Sequence, residues 1–441
     1  MTVTNAPVIT DDQSATISPQ ARTALWASLV GTTIEWYDFF LYATAASLVF
    51  NHAFFPDQST FVGTLLSFAT FAVGFLVRPI GGFVFGHVGD RIGRKKTLAF
   101  TMLLMGGATA LMGVLPTAAQ IGVLAPILLL LLRIVQGFAL GGEWAGAVLL
   151  AVEHSPPKRR GLFGSIPQVG LALGLALGTG VFALLQIALP DDAFLTYGWR
   201  IAFLLSIVLV IFGVVVRLRA SETPSFERVR DSDDRAAVPL REIFKPPVLR
   251  STVLGMLSRW GEGAAFNTWG VFAIAYATST LKLDKVPVLI SVTAAALLMA
   301  ALLPVSGLLT DRFGAKRVYT TGIAAYAISV FPVFALFGTG NIWLYALALL
   351  VVFGVIHALF YGAQGTLYAS LFPARIRYTG LSTVYQLSGV YASGLTPLIL
   401  TALIGVAGGS PWIACTYLVT TATISVIATL LLKPTPLRDL E

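Results

Sequence analysis

Apolar runs of about twenty residues follow one another along almost the whole chain, and this limits the possible folds more than any other feature. A helix rises about 1.5 Å per residue, so about 20 mainly apolar residues are needed to cross the hydrocarbon of a bilayer. Candidate spans cover residues 25–50, 61–85, 98–116, 121–150, 161–189 and 198–218. After a polar stretch at 219–247 they resume at 248–278, 287–310, 318–338, 341–370, 378–406 and 411–432, with polar tails at 1–24 and 433–441. A chain that is 56% hydrophobic and only 11% charged has too few polar residues to cover a water-soluble surface. The expected fold class is an all-α membrane protein with twelve transmembrane helices in two pseudo-symmetric six-helix bundles, 25–218 and 248–432, joined by the loop 219–247.

The two-bundle expectation comes from a repeat. Gly86-His87-Val88-Gly89-Asp90-Arg91-Ile92-Gly93-Arg94-Lys95-Lys96 follows the second span, and Gly307-Leu308-Leu309-Thr310-Asp311-Arg312-Phe313-Gly314-Ala315-Lys316-Arg317 follows the eighth. Gly86, Asp90, Arg91 and Gly93 thereby match Gly307, Asp311, Arg312 and Gly314, half a chain apart. A second, weaker pair is Pro156-Pro157-Lys158-Arg159-Arg160-Gly161 after the fourth span and Pro373-Ala374-Arg375-Ile376-Arg377 after the tenth. Parallel repeats of this size are the mark of a transporter built from two bundles.

Charge gives the orientation. Of 29 Lys and Arg residues, Lys282 and Lys285 stand alone on one side. Arg78, Arg133, Arg200 and Arg259 fall in or at the edge of spans, and all the others lie in the tails and loops of the opposite side. That side, with both termini, is expected to be cytoplasmic, making the chain a multi-pass protein of a plasma (inner) membrane. The net charge of +8 is accounted for in the same way and does not imply nucleic acid. Residues 1–21 have no apolar core, so no cleaved signal peptide is expected.

An ionisable residue at bilayer depth costs a few kcal/mol or more unless paired or hydrated, so each one marks a candidate functional site. In the first span Glu35, Asp38 and Tyr42 share a helical face, next to Tyr37. Two carboxylates this close in a medium of low dielectric do not both ionise readily, so one of them is expected to take up a proton. In the fourth span Arg133, Gln136 and Glu143 lie on roughly one face, and Arg133 is the expected partner of a first-span carboxylate. Glu35, Asp38, Arg133 and Glu143 are therefore candidates for proton coupling. Arg78 lies about two turns inside Gly86, deep enough for a guanidinium to grip an anion. In the second half Arg259, Glu262, Phe266 and Asn267 share one face of the seventh span, and His357, Tyr361, Gln364 and Tyr368 one face of the tenth. The candidate substrate residues are Tyr37, Tyr42, Arg78, Gln136, Arg259, Asn267, His357, Tyr361 and Gln364.

The segment Gly86–Lys96 resembles the signature that the major facilitator superfamily carries between helices 2 and 3. Glu35-Trp36-Tyr37-Asp38-Phe39, the run Phe71–Gly82, Arg133-Ile134-Val135-Gln136-Gly137, Gly141-Gly142-Glu143-Trp144 and Glu153-His154-Ser155-Pro156-Pro157 together resemble its metabolite:proton symporter family, in particular the shikimate-type organic-acid transporters. The resemblance implies alternating access and inward proton symport of small carboxylates or zwitterions, with the first-span acids and Arg133 as coupling group. It also implies a gating role for Asp90, Arg91 and Arg94 against the eleventh span. Asp311 and Arg312, with Glu153 among their partners, would act likewise against the fifth. Thr310 and Ala315 depart from the first copy of the segment, where glycine and arginine stand.

The expected partners are a small organic acid, the proton and membrane lipid, with no nucleic acid, no cofactor and no metal, and the expected unit is a monomer. Uptake of zwitterionic osmolytes, and uniport or export without proton coupling, are the alternative readings. The chain ends soon after Lys433-Pro434-Thr435-Pro436 without heptads, unlike the osmosensing branch of the family. No nucleophile triad, zinc-spaced histidines or nucleotide-binding loop points to an enzyme or an ATP-driven pump.

Overall fold

A computed structural model gives the architecture. It describes the backbone of residues 19–92, 94–153, 155–219, 242–246, 248–373 and 376–434. Within these, the side chains of residues 19–25, 27–28, 86–92, 94–95, 98, 142–143 and 217–219 lie outside the description. The helices are α1 (Pro19–Leu48), α2 (Thr60–Ile92), α3 (Arg94–Val114), α4 (Leu124–Glu153), α5 (Pro157–Ala188), α6 (Asp191–Val216), α7 (residues 248–280), α8 (Lys285–Phe313), α9 (Ala315–Phe337), α10 (Ile342–Ala369), α11 (Arg377–Val406) and α12 (Trp412–Leu431). Each expected span is met by one helix, and α1 and α2 continue further at the end that carries the tails. With an even number of helices both tails emerge on one face, called the terminal face below.

Large apolar side chains cover the outside: Leu76, Ile80, Leu184, Val208, Phe212 and Ile328 are all exposed. In water such a surface would aggregate, whereas in lipid it is the surface required. Helix contacts follow the repeat. Within the first half α2 packs on α4, α3 on α6 and α1 on α5 and α6. Within the second half α8 packs on α10, α9 on α12 and α7 on α11 and α12. The halves meet along α5 with α8, α2 with α11 and α1 with α7. Adding six to each helix number maps one set of contacts onto the other, which is the pseudo-symmetry of the two bundles.

Glycine sets the closest crossing. A Cβ on Gly81 would lie 1.8 Å from the Phe138 carbonyl oxygen, and one on Gly141 would lie 2.2 Å from the Arg78 oxygen. Helices α2 and α4 therefore touch backbone to backbone, as small residues allow in membranes. A Cβ on Gly74 would meet the Arg133 guanidinium at 2.5 Å, so the same row of glycines also makes room for a buried cation. The first half has one π turn, Phe194–Gly198 of α6, among the described residues, and in the second half the helices widen into π turns at Thr268–Phe272, Leu350–His357 and Gly389–Gly394. Such turns cluster at functional sites, and these adjoin Asn267 or contain His357 and Ser393.

Replacing Gly81 by valine should overpack the α2–α4 crossing and cost about 3 kcal/mol. Gly107, whose added Cβ meets nothing within 4 Å, should accept alanine with no loss or a gain of up to about 1 kcal/mol. Thermal unfolding of the two variants in detergent checks both, and equal midpoints would refute the close crossing.

Candidate functional site

Where the halves meet, about midway along the helices, lies a cavity of about 20 Å³, room for a water molecule or two. Trp36 and Phe40 of α1, Phe75 and Arg78 of α2 and Leu171 of α5 line it from one half. Arg259, Glu262, Phe266 and Asn267 of α7 with Tyr385 and Ser393 of α11 line it from the other. Trp36 stacks on Phe40 at 5.3 Å and Phe40 on Phe266 at 5.2 Å, so the aromatic stack crosses the seam.

The electrostatics are lopsided. Arg78 is buried, its guanidinium 5.0 Å from the Trp36 ring centroid and 4.8 Å from those of Phe39 and Phe75, and its Nε has no hydrogen-bond partner. Among the described residues no carboxylate lies within salt-bridge distance of it. Arg259 lies over the Tyr385 ring at 3.8 Å and donates to the Tyr385 carbonyl at 3.2 Å and to Ser388 Oγ at 3.1 Å. Its Nε lies 3.3 Å from Glu262 Oε2. Glu262 also accepts from Gln364 Nε2 at 3.4 Å, and its Oε1 lies 4.0 Å from His357 Nε2. Asn267 donates to the Gly263 carbonyl while its Oδ1 has no partner. The walls thus offer two cations, one carboxylate and a free amide acceptor, an arrangement suited to an anion that also carries a hydroxyl.

The other candidates sit behind these walls. Arg133 is fully buried, its guanidinium 4.3, 4.1 and 4.9 Å from the Phe39, Tyr42 and Phe71 ring centroids. It donates to Gln136 Oε1, and Gln136 Nε2 donates to the Asp38 carbonyl at 3.2 Å and to Thr109 Oγ1 at 2.9 Å. The expected ion pair between Arg133 and a first-span carboxylate is not formed in this arrangement. Gly74 admits the guanidinium among aromatic faces, while the Asp38 carboxylate is fully buried beside Thr109 with no well-formed hydrogen bond. Glu35 is buried too. The Tyr37 hydroxyl donates to the Ala202 carbonyl at 2.8 Å and the Tyr42 hydroxyl to Thr70 Oγ1 at 2.7 Å, so both serve packing within the first half. His357, Tyr361 and Gln364 are fully buried one layer behind α7 rather than on the cavity surface. The Tyr368 hydroxyl accepts from Ser258 Oγ at 3.1 Å and shares a hydrogen bond with Tyr319. Trp36, Phe40, Phe75, Tyr385 and Ser393 escaped the sequence reading. The polar run Tyr385-Gln386-Leu387-Ser388 in an apolar span was the signal for α11.

Both ends of the seam are closed. At the terminal face Asp311 accepts from the backbone N–H groups of Gly161 at 2.6 Å and Leu162 at 3.0 Å, at the start of α5. Nearby Thr366 Oγ1 donates to the Arg160 carbonyl, Trp144 stacks on Tyr385 at 3.7 Å and Gln386 donates to the Gly141 carbonyl. Toward the other face Ser47 Oγ donates to the Val271 carbonyl at 3.3 Å, and Thr179 and Thr293 share a hydrogen bond at 2.8 Å. Arg312 is exposed and Glu153 half-buried. The Asp90, Arg91, Arg94 and Glu143 side chains, named as candidates above, lie outside the described residues.

Two closed ends around a charged seam between repeated bundles define a secondary transporter. The comparisons agree. Residues 23–254 match the sugar (and other) transporter family and residues 261–440 the major facilitator superfamily. The chain is 40% identical over 402 residues to the inner membrane metabolite transport protein YhjE of Escherichia coli K12, covering 89% of this chain and 90% of that protein. It is 38% identical over 425 residues to the shikimate transporter of the same organism, covering 96% and 97%. The proton:xylose symporter XylE shares the fold at a TM-score of 0.74 and 17% identity, over 94% of this chain and 95% of that one. The chain belongs to the metabolite:proton symporter family of the major facilitator superfamily, and it is a transporter, not an enzyme.

The Asp311 contact can be tested through accessibility, because Cys415 is buried and is the only cysteine. With Ser393→Cys as reporter in the cavity, adding Asp311→Asn should speed its alkylation from the terminal face about ten-fold, since two charge-assisted hydrogen bonds are weakened. An unchanged rate would show that Asp311 does not hold this face closed.

Proposed function

We propose that the chain is a proton-coupled importer of a small ring-bearing, hydroxylated organic acid. The observation that carries this reading is Arg78, a buried cation with no carboxylate within salt-bridge distance among the described residues, opposite Arg259 across the seam. A permanently charged guanidinium in a dry site is costly unless an anion completes it. A carboxylate between Arg78 and Arg259 pairs with both, its ring rests on Trp36, Phe40 and Phe266, and a hydroxyl donates to Asn267 Oδ1. Shikimate, the cargo named for the relative at 38% identity, has these features. A zwitterionic osmolyte fits less well, because it brings its own cation to a site that already holds two.

Asp38 is the proton carrier in this reading: a buried carboxylate beside Thr109, joined through its backbone to the Gln136–Arg133 pair. Protonation removes the cost of its burial, and Arg133 favours release when water reaches it. The terminal face, rich in Lys and Arg, is cytoplasmic, and Asp311 with the repeated segment acts there as a gate. The cavity is too small for such an acid, so loading requires the halves to part.

Uptake into proteoliposomes, screened with shikimate, quinate, benzoate, dicarboxylates and betaine, tests the substrate class. Arg78→Gln should weaken carboxylate binding about 100-fold, and strong betaine uptake untouched by Arg78→Gln would overturn the anion reading. Asp38→Asn should retain counterflow but lose accumulation driven by a pH gradient. Accumulation that persists would remove Asp38 from the proton path.

A further inference from the structure

Glu262 is the one carboxylate among the described residues of the cavity wall, and in this structure it lies against one of the two cations that an anionic substrate needs. Its surroundings are not those of a residue that serves packing alone. Arg259 faces it from its own helix. His357, Tyr361, Gln364 and Tyr368 face it from α10, Tyr319 from α9 and Tyr385 from α11. Arg78 stands across the seam near Arg259 and Tyr385. His357 is fully buried with neither ring nitrogen hydrogen-bonded, although Glu262 Oε1 is 4.0 Å from Nε2. A buried imidazole left short of a partner by about an ångström is a ready acceptor for a nearby acid.

We infer that Glu262 is an internal stand-in for the substrate: the incoming carboxylate displaces it from Arg259, and the displaced side chain takes up one proton and turns to His357. The inference rests on the anion reading above and deepens it. The charge balance supports it. In the empty site two guanidinium groups and one carboxylate leave one net positive charge. A bound monoanion beside a still ionised Glu262 would bring the sum to zero, but with the Glu262 charge buried and stripped of its partner, which is expensive. Protonated Glu262 restores the net charge of the empty site. In this step one O–H bond forms at the Glu262 carboxylate and one breaks in the hydronium ion that supplies the proton. The new hydroxyl donates to His357 Nε2, which stays neutral. This proton is linked to binding, and it is exchanged with the two faces of the membrane by way of Asp38.

The test is the pH dependence of binding to the purified full-length protein in detergent, with shikimate and benzoate as probes, over a range in which both stay ionised. A proton taken up with each bound anion makes the affinity fall about ten-fold for each unit rise in pH. In Glu262→Gln the affinity should be constant across the range and, at high pH, about ten-fold or more above wild type. In Asp38→Asn the wild-type slope should remain, and in His357→Leu the fall should begin at lower pH. As a second readout on the wild-type fold, anion binding should create a carboxylic-acid C=O infrared band that shifts with ¹³C-labelled glutamate, not with labelled aspartate, and that persists in Glu35→Gln.

A slope that survives in Glu262→Gln, a slope lost in Asp38→Asn, or a band that follows aspartate would overturn the inference while leaving the anion reading standing. Failure of the wild type to bind either probe would overturn both.

Discussion

Two guanidinium groups, Arg78 and Arg259, converge on one buried seam, where among the described lining residues a single carboxylate, Glu262, lies against Arg259. Like charges facing each other in a medium of low dielectric push the halves apart, and water cannot screen them once the seam is closed. The closed arrangement must therefore be held elsewhere. Asp311 on the start of α5 and the Trp144–Tyr385 stack hold the terminal face, and Ser47 and Thr179 hold the other. The contacts toward the two faces are separate sets, so one end can be released while the other stays joined. The seam then acts as a surface whose adhesion depends on what fills it.

The deepest cation of the first half is accommodated inside its own bundle. Arg133 is a permanent cation in the middle of the first bundle, yet three aromatic faces, Gln136 and the space left by Gly74 accommodate it without opening the bundle. The backbone contact of α2 with α4 makes Arg78 and Arg133 neighbours on one rigid pair of helices. The second half is built differently. Its π turns shift the register of α7, α10 and α11 close to Asn267, His357 and Ser393.

Much of this was legible in the sequence, for physical reasons. Hydrocarbon thickness fixes span length, so the spans could be counted. Charge at depth is costly, so Arg78, Arg133, Arg259, Glu262 and Asp38 stood out without coordinates. What could not be read was which polar face of a helix meets the seam and which meets its own bundle, because both directions are buried and both tolerate polar groups. Glu35, Asp38 and Tyr42 form a stripe on α1, but the face at the cavity is the one with Trp36 and Phe40. Tyr37 and Gln136 carry polar atoms and turn inward. Tyr385 and Ser393 carry no charge, so only the polar run Tyr385-Gln386-Leu387-Ser388 in an otherwise apolar span set α11 apart.

The charge balance at the seam also bears on how two cargoes are made to travel together. On the reading proposed here, a site holding the anion but no proton leaves Glu262 charged and without its partner. A site holding the proton but no anion leaves Arg78 and Arg259 facing each other with nothing between them. Either state raises the cost of bringing the halves together, by several kcal/mol for an unpaired buried charge. Two states keep this penalty lowest: the one without cargo, where Glu262 lies on Arg259 and only Arg78 lacks a carboxylate, and the one loaded with both. Only those can close and reopen on the other side, so coupling follows from the cost of half-filled states and requires no direct contact between proton and substrate.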